Sequence, residues 1–140
     1  MIPGAMWAAA FVLVAWAGPD PRMGPHEVIA AVVDALAHNN SPLPNSGVRT
    51  TYQFASPANR RVTGPYGRFL RLVRAPPYAP LRMAVAVEYG ELHVAEGKAW
   101  QIVTTRDAKG AAASFRFDVS LQKEGPCTGC WMTDGVARQP

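Results

Sequence analysis

Apolar positions change their spacing once along this chain, and the change divides it in two. From Pro25 the spacing is helical: Val28, Ile29, Val32, Val33 and Leu36 fall on one face. Pro25 suits a first helical turn, and Asn39-Asn40-Ser41-Pro42 supplies a stop. The stretch from Leu43 to Pro57 reads as a second short helix, with Val48, Tyr52 and Ala55 on one side. A third helix follows Thr63-Gly64-Pro65 and runs to about Arg74, with Phe69, Leu70, Leu72 and Val73 as its apolar side. After Pro76-Pro77-Tyr78-Ala79-Pro80 the period becomes two. Met83, Val85, Val87 and Tyr89 alternate with Ala84, Ala86 and Glu88, and Leu92 and Val94 continue the pattern beyond a bend at Gly90. Trp100, Ile102 and Thr104 form a second strand. Phe115, Phe117, Val119 and Leu121 form a third, alternating with polar residues, and Trp131 to Val136 a fourth. Three helices followed by a four-stranded antiparallel meander predict an α+β domain with the helices on one face of the sheet.

Composition leaves this outline intact and adds a preceding segment. The chain has 140 residues, and its 49% apolar and 17% charged content excludes a disordered polypeptide. Ala5 to Ala17 is an unbroken apolar run of 13 residues, short of the roughly 20 that cross a bilayer. It suits a signal-peptide core, with Ala15-Trp16-Ala17 as the cleavage site, although no Lys or Arg precedes it. An uncleaved anchor and an apolar tail folded onto the domain are the alternatives. The expected organisation is a signal peptide or anchor over 1–17, a Pro/Gly linker over 18–24 and one domain over 25–140. The chain is thus expected to be exported, organelle-lumenal or membrane-anchored.

The net charge of +4 is unevenly spread. Arg49, Arg60, Arg61, Arg68, Arg71, Arg74 and Arg82 lie in a window without an acid between Ala35 and Val87. Arg68, Arg71 and Arg74 recur every third residue, forming a basic edge with Arg60 and Arg61. Such an edge suits an anionic lipid or an acidic protein partner, and nucleic acid is disfavoured for an exported chain. The bland alternative is a solvated helix face paired with Glu88, Glu91 and Glu96.

Catalytic chemistry is thinly represented. Cys127-Thr-Gly-Cys130 lies in a turn before a strand, where no helix N-terminus is available to stabilise a redox thiolate. It supplies only two of the four ligands of structural zinc, and His26, His38 and His93 are scattered. A local disulfide is expected if the chain is exported, and two free thiols otherwise. Asp34, Glu88 and Asp118 fall out of phase with the apolar positions around them, so no acid is expected in a sheltered pocket. No glycine-rich phosphate loop precedes a helix, and no cofactor or metal is expected. Tyr52, Phe54, Phe69, Tyr78, Trp100, Phe115 and Trp131 are candidates to line an apolar ligand cleft between helices and sheet, against plain core packing as the alternative.

The run Tyr52-Gln-Phe-Ala-Ser-Pro-Ala-Asn59, Thr63-Gly-Pro-Tyr-Gly-Arg-Phe69 and Tyr78 resembles an uncharacterised family, a domain of unknown function. Gly129-Cys-Trp-Met-Thr133 is similar to its plant and algal branch. The resemblance covers roughly residues 25–137 and implies a nuclear transport factor 2-like, cystatin-like fold, in which a curved antiparallel sheet wraps helices around a conical cleft. Some plant members carry an F-box label, but the residues before Pro25 are too few for such a segment. The fold hosts isomerases, adaptors and dimerisation modules, so it implies little about activity. A non-catalytic binding module is the leading expectation. A small-molecule enzyme using the cleft and a homodimerising adaptor using the small residues Ala84, Ala86 and Ala95 are the alternatives.

Overall fold

Pro25 opens the first helix, and its ring accounts for both φ and a missing donor at a position where neither is costly. The structure, a computed structural model, describes residues 18–140; the expected signal peptide or anchor falls on residues 1–17, outside them. Helix α1, Pro25–Ala37, is capped by Glu27, whose carboxylate accepts the Gly24 amide at 2.6 Å. It buries Val28, Ile29, Ala31, Val32, Val33, Ala35 and Leu36, a wider arc than an ordinary amphipathic stripe. The width follows from its position: α1 packs on helices to one side and on strands β4 and β5 to the other.

Helix α2, Ser46–Phe54, packs against α1 at Gly47, where a Cβ atom would lie 2.0 Å from the Ala35 carbonyl oxygen. Buried Asn39 ties the two helices together. Its backbone oxygen accepts from Gly47 N–H at 2.9 Å and its Oδ1 from Val48 N–H at 2.9 Å. Sequence reading carries the second helix on to Pro57. The structure instead ends α2 at Phe54 and starts a new helix, α3, Pro57–Thr63. The reason is local: Ser56 accepts the Asn59 amide at 3.1 Å as N-cap, and Pro57 fills the first turn. Helix α4, Tyr66–Val73, follows Gly64 and Pro65. A 3₁₀ turn, Pro76–Tyr78, leads into the short α5, Ala79–Arg82. The expected three helices are therefore five among the described residues.

The sheet has five antiparallel strands rather than four. They are β1 Ala86–Tyr89, β2 His93–Ala95, β3 Lys98–Arg106, β4 Ala112–Leu121 and β5 Trp131–Arg138. Their order is β1-β3-β4-β5, with β2 on the same edge of β3 as β1. The expected bent first strand is thus divided at Gly90, whose amide still donates to Ile102 O at 2.8 Å. Met83 and Val85, read as strand positions, lie before β1 and are exposed. Gln101 fills the break from the inner face. Its Nε2 donates to Gly90 O at 2.8 Å, and its Oε1 lies 3.0 Å from His26 Nδ1 on α1. Ala99, Val103, Phe115, Phe117 and Val119 complete the buried inner face against the helices. β5 carries a bulge where its register on β4 slips between Asp118 and Val119, leaving Asp134 as the extra residue.

Candidate functional site

The bulge lies beside an apolar opening between helices and sheet. Residues Leu36 of α1, Ala58 and Val62 of α3, Phe69, Leu72 and Val73 of α4, Tyr78, Leu81 and β5 residues 133–136 line a cleft of about 460 Å³. Burial orders it: Val62 is 76% and Leu72 41% exposed at the mouth, whereas Thr133 is 2% exposed at the floor. The end of α2 meets β5 here. Ala55 bridges Thr133 as a short parallel pair, and Ser56 N–H donates to Thr133 O at 2.8 Å. The Ser56 hydroxyl donates to Asp134 Oδ1 at 2.7 Å, and Asn59 Nδ2 to Thr133 O at 3.1 Å. Tyr78 Oη donates to Val136 O at 3.1 Å, fixing its ring on the cleft wall. Among the described residues the Thr133 hydroxyl has no hydrogen-bond partner.

Of the seven aromatic candidates, Phe69 and Tyr78 reach this cleft. Phe54 and Phe115 are fully buried in the core, and Trp131 packs half-buried against it. Tyr52 makes edge contacts with Tyr66 and Phe69, at 5.5 and 5.1 Å between centroids. Trp100 lies on the outer side of the sheet, since its neighbours Ala99 and Gln101 point inward. There it stacks on His93 at 4.0 Å and under the Arg116 guanidinium at 4.3 Å, beside the Arg116–Asp118 ion pair. A shallow depression of about 790 Å³ runs over this outer surface.

Against the expectation that no acid stands in the cleft, Asp134 reaches it, and from its place in the bulge Asp134 also borders the depression on the outer face. Asp134, Thr133, Ser56 and Asn59 are the polar groups that sequence reading missed. The Ser56-Pro57 helix start was a usable signal for two of them. Nothing in the alternation marked the other two, because a bulge reverses the in–out parity of a strand.

The five edge arginines do not behave alike. Arg60 lies over the Tyr52 ring at 4.3 Å and donates to Tyr52 O at 2.6 Å, while its Nε is buried without a partner among the described residues. Arg49 covers the Tyr66 ring at 4.3 Å, extending the same cluster. Arg61, Arg68, Arg71 and Arg74 are exposed. Among the described residues the ion pairs are Arg22–Asp20, His38–Asp34, His93–Glu91 and Arg116–Asp118, so none joins the basic edge to Glu88, Glu91 or Glu96. Arg82 donates to Val73 O at 2.9 Å, and burial, with the charge of Arg74 second, lowers its pKa. Burial, helped by the charge of Asp34, raises the Tyr89 pKa.

Cys127 and Cys130 are joined in a disulfide with Cα atoms 5.5 Å apart. Cys130 is buried, and Cys127 Sγ lies 3.7 Å from Pro19 O, a contact rather than a hydrogen bond because a disulfide sulfur carries no proton. Among the described residues no three His, Cys, Asp or Glu side chains converge as metal ligands, and no helix is long and apolar enough to cross a membrane.

A family model described as a domain of unknown function (DUF4864) matches residues 25–138, and the chain belongs to that family. No curated protein and no solved structure matches it.

Proposed function

We propose that this member of a family of unknown function is a small-molecule-binding module, with its ligand in the cleft between α3, α4 and β5. The cleft itself carries the reading. Its volume of about 460 Å³, apolar walls and few placed polar groups are those of a ligand pocket rather than a packing defect. The neutral apolar dye N-phenyl-1-naphthylamine tests it. Its fluorescence rises with the wild-type domain, and Ala58→Trp, which fills the cleft from α3, abolishes the rise. Unchanged binding by Ala58→Trp, or no binding at all, removes the reading.

The order of helices, antiparallel sheet and cleft supports a nuclear transport factor 2-like, cystatin-like fold, and the resemblance near Cys130 supports the plant and algal branch. In this proposal the chain is exported or membrane-associated through residues 1–17, and its disulfide suits an oxidising compartment. The exposed Arg61, Arg68, Arg71 and Arg74 contact an anionic lipid surface. Sedimentation with vesicles containing or lacking anionic lipid tests this, and equal binding to both removes the lipid contact.

Asp134 favours a second reading, an enzyme that uses this carboxylate as a general base. Asp134→Asn then abolishes turnover of a bound ligand while dye binding persists. A ligand recovered unchanged after long incubation with the wild type removes this version.

A further inference from the structure

The floor of the cleft names a chemical class of ligand. Thr133 pairs with Val119 across β4 and β5, which places it on the inner, apolar face of the sheet. Its carbonyl is fully used, accepting from Ser56 N–H and Asn59 Nδ2. Its hydroxyl is buried and has no partner among the described residues. A buried hydroxyl without a partner is costly, and valine has the same shape without the cost. A threonine at such a position calls for a partner that the described residues do not supply. The adjacent Asp134 accepts one hydrogen bond, from Ser56 Oγ to Oδ1, among the described residues. Its carboxylate therefore keeps capacity to accept another. The bulge brings this acceptor and the orphan donor together in a predominantly apolar cleft, whose other polar side chains, Thr51, Asn59 and Thr63, already donate to backbone carbonyls.

We infer that the cleft selects an uncharged, largely apolar molecule bearing a hydroxyl group. The ligand O–H donates to the Asp134 carboxylate, and Thr133 Oγ1, closed off from the cleft in the free domain, turns about χ1 to donate to the ligand oxygen. A ligand carboxylate or phosphate is disfavoured by the Asp134 charge, so the basic edge and the cleft address different chemistry. The inference rests on the cleft reading above, and the test separates the two.

The probes are the isomers 1-octanol and heptyl methyl ether, equal in atom count and differing in the donor. Each is titrated against bound N-phenyl-1-naphthylamine. The wild-type domain is expected to bind the alcohol about tenfold or more tightly than the ether, as one charge-assisted hydrogen bond implies. Asp134→Ala brings that ratio to about two or less and Asp134→Asn lowers it partway, whereas Thr133→Val weakens alcohol and ether alike by about threefold or more and Thr133→Ser restores both. Circular dichroism checks that each variant is folded, and the wild-type ratio is decisive without any of them. Equal affinities for alcohol and ether, a ratio unmoved by Asp134→Ala, or probe affinities unmoved by Thr133→Val, overturn the hydroxyl assignment and leave the cleft reading standing. Failure of both probes to displace the dye from a cleft that Ala58→Trp closes also overturns the assignment. Failure of the dye itself to bind overturns both.

Discussion

The contact of α1 with α2 at Gly47 predicts that one substitution, made at two glycines, has opposite signs. Both Gly47 and Gly67 are helical, so replacing either by alanine adds helix propensity, up to about 1 kcal/mol. At Gly67 an added Cβ meets no atom within 4 Å, and the gain stands alone. At Gly47 the Cβ would lie 2.0 Å from Ala35 O and 2.8 Å from both Ala35 C and Asn39 Cα. All three are backbone atoms, so no side chain rotates away and the helices must separate. Overpacking costs about 1–3 kcal/mol in general, and a contact with fixed backbone belongs at the upper end. Separation also weakens the hydrogen bonds from Gly47 and Val48 to Asn39, each worth about 1 kcal/mol. After subtracting the propensity gain, Gly47→Ala is expected to destabilise by about 3–4 kcal/mol. In a domain of this size that lowers Tm by roughly 12 °C or more. Leu36 and Thr51, one residue from Ala35 and one turn from Gly47, line the cleft, so dye affinity falls as well. Thermal denaturation of the two variants decides the matter. A Gly47→Ala variant as stable as the wild type refutes the close approach, and a destabilised Gly67→Ala refutes the open surroundings of that residue.

Arg60→Lys keeps the charge but loses the planar stack on Tyr52, and is expected to cost about 1 kcal/mol, against less than about 0.5 kcal/mol for exposed Arg61→Lys; urea denaturation compares them. Reduction of the Cys127–Cys130 disulfide reopens a loop of only a few residues and is expected to cost about 2 kcal/mol without changing dye affinity, read by denaturation with and without reductant. Asp20 is held at a pKa of about 2, below its ordinary 3.8, chiefly by the side-chain hydrogen bond from Arg22 and then by the Arg22 backbone amide. Because the folded pKa is the depressed one, the turn is supported above about pH 4 and loses that support as pH falls towards 2. An NMR titration of the carboxylate checks this, and Arg22→Ala moves the midpoint up towards 3.8.

The parts of the fold legible in the sequence are those held by long, regular alternation. Phe115, Phe117 and Val119 against Arg116 and Asp118 specify one strand and its faces, because a register error would expose three large apolar residues. The breadth of α1 was less visible. A helix buried on most of its circumference is recognisable only once its neighbours are known, and Ala31 and Ala35 read as neutral until they are found beneath other elements. The misread second helix has a different cause. Val48, Tyr52 and Ala55 keep helical spacing up to Ser56-Pro57, so the pair reads as the end of one helix although Ser56 is the cap that starts another. Gly90 was read correctly as a bend, but whether a bend leaves one strand or two depends on the buried Gln101 side chain that occupies it.

The candidate site was less legible than the fold, and for a reason that bears on the proposal. Three local rules are broken there. An apolar helix pattern is interrupted at Ser56, a strand loses its parity at Asp134, and a threonine occupies an inward position where valine would pack. Each departure is individually unremarkable, since helices end, strands bulge and threonine is common in strands. They nevertheless fall on residues that touch: Ser56 bonds both Thr133 and Asp134, and Thr133 and Asp134 line the same cleft. Sequences that fold well agree with themselves at every level, and the exceptions gather where function imposes a different requirement. A requirement confined to packing would remove the orphan hydroxyl of Thr133, since valine fills the same space. A requirement for recognition would retain it. The dye and alcohol titrations separate these two, because only recognition makes the hydroxyl count when a ligand is bound.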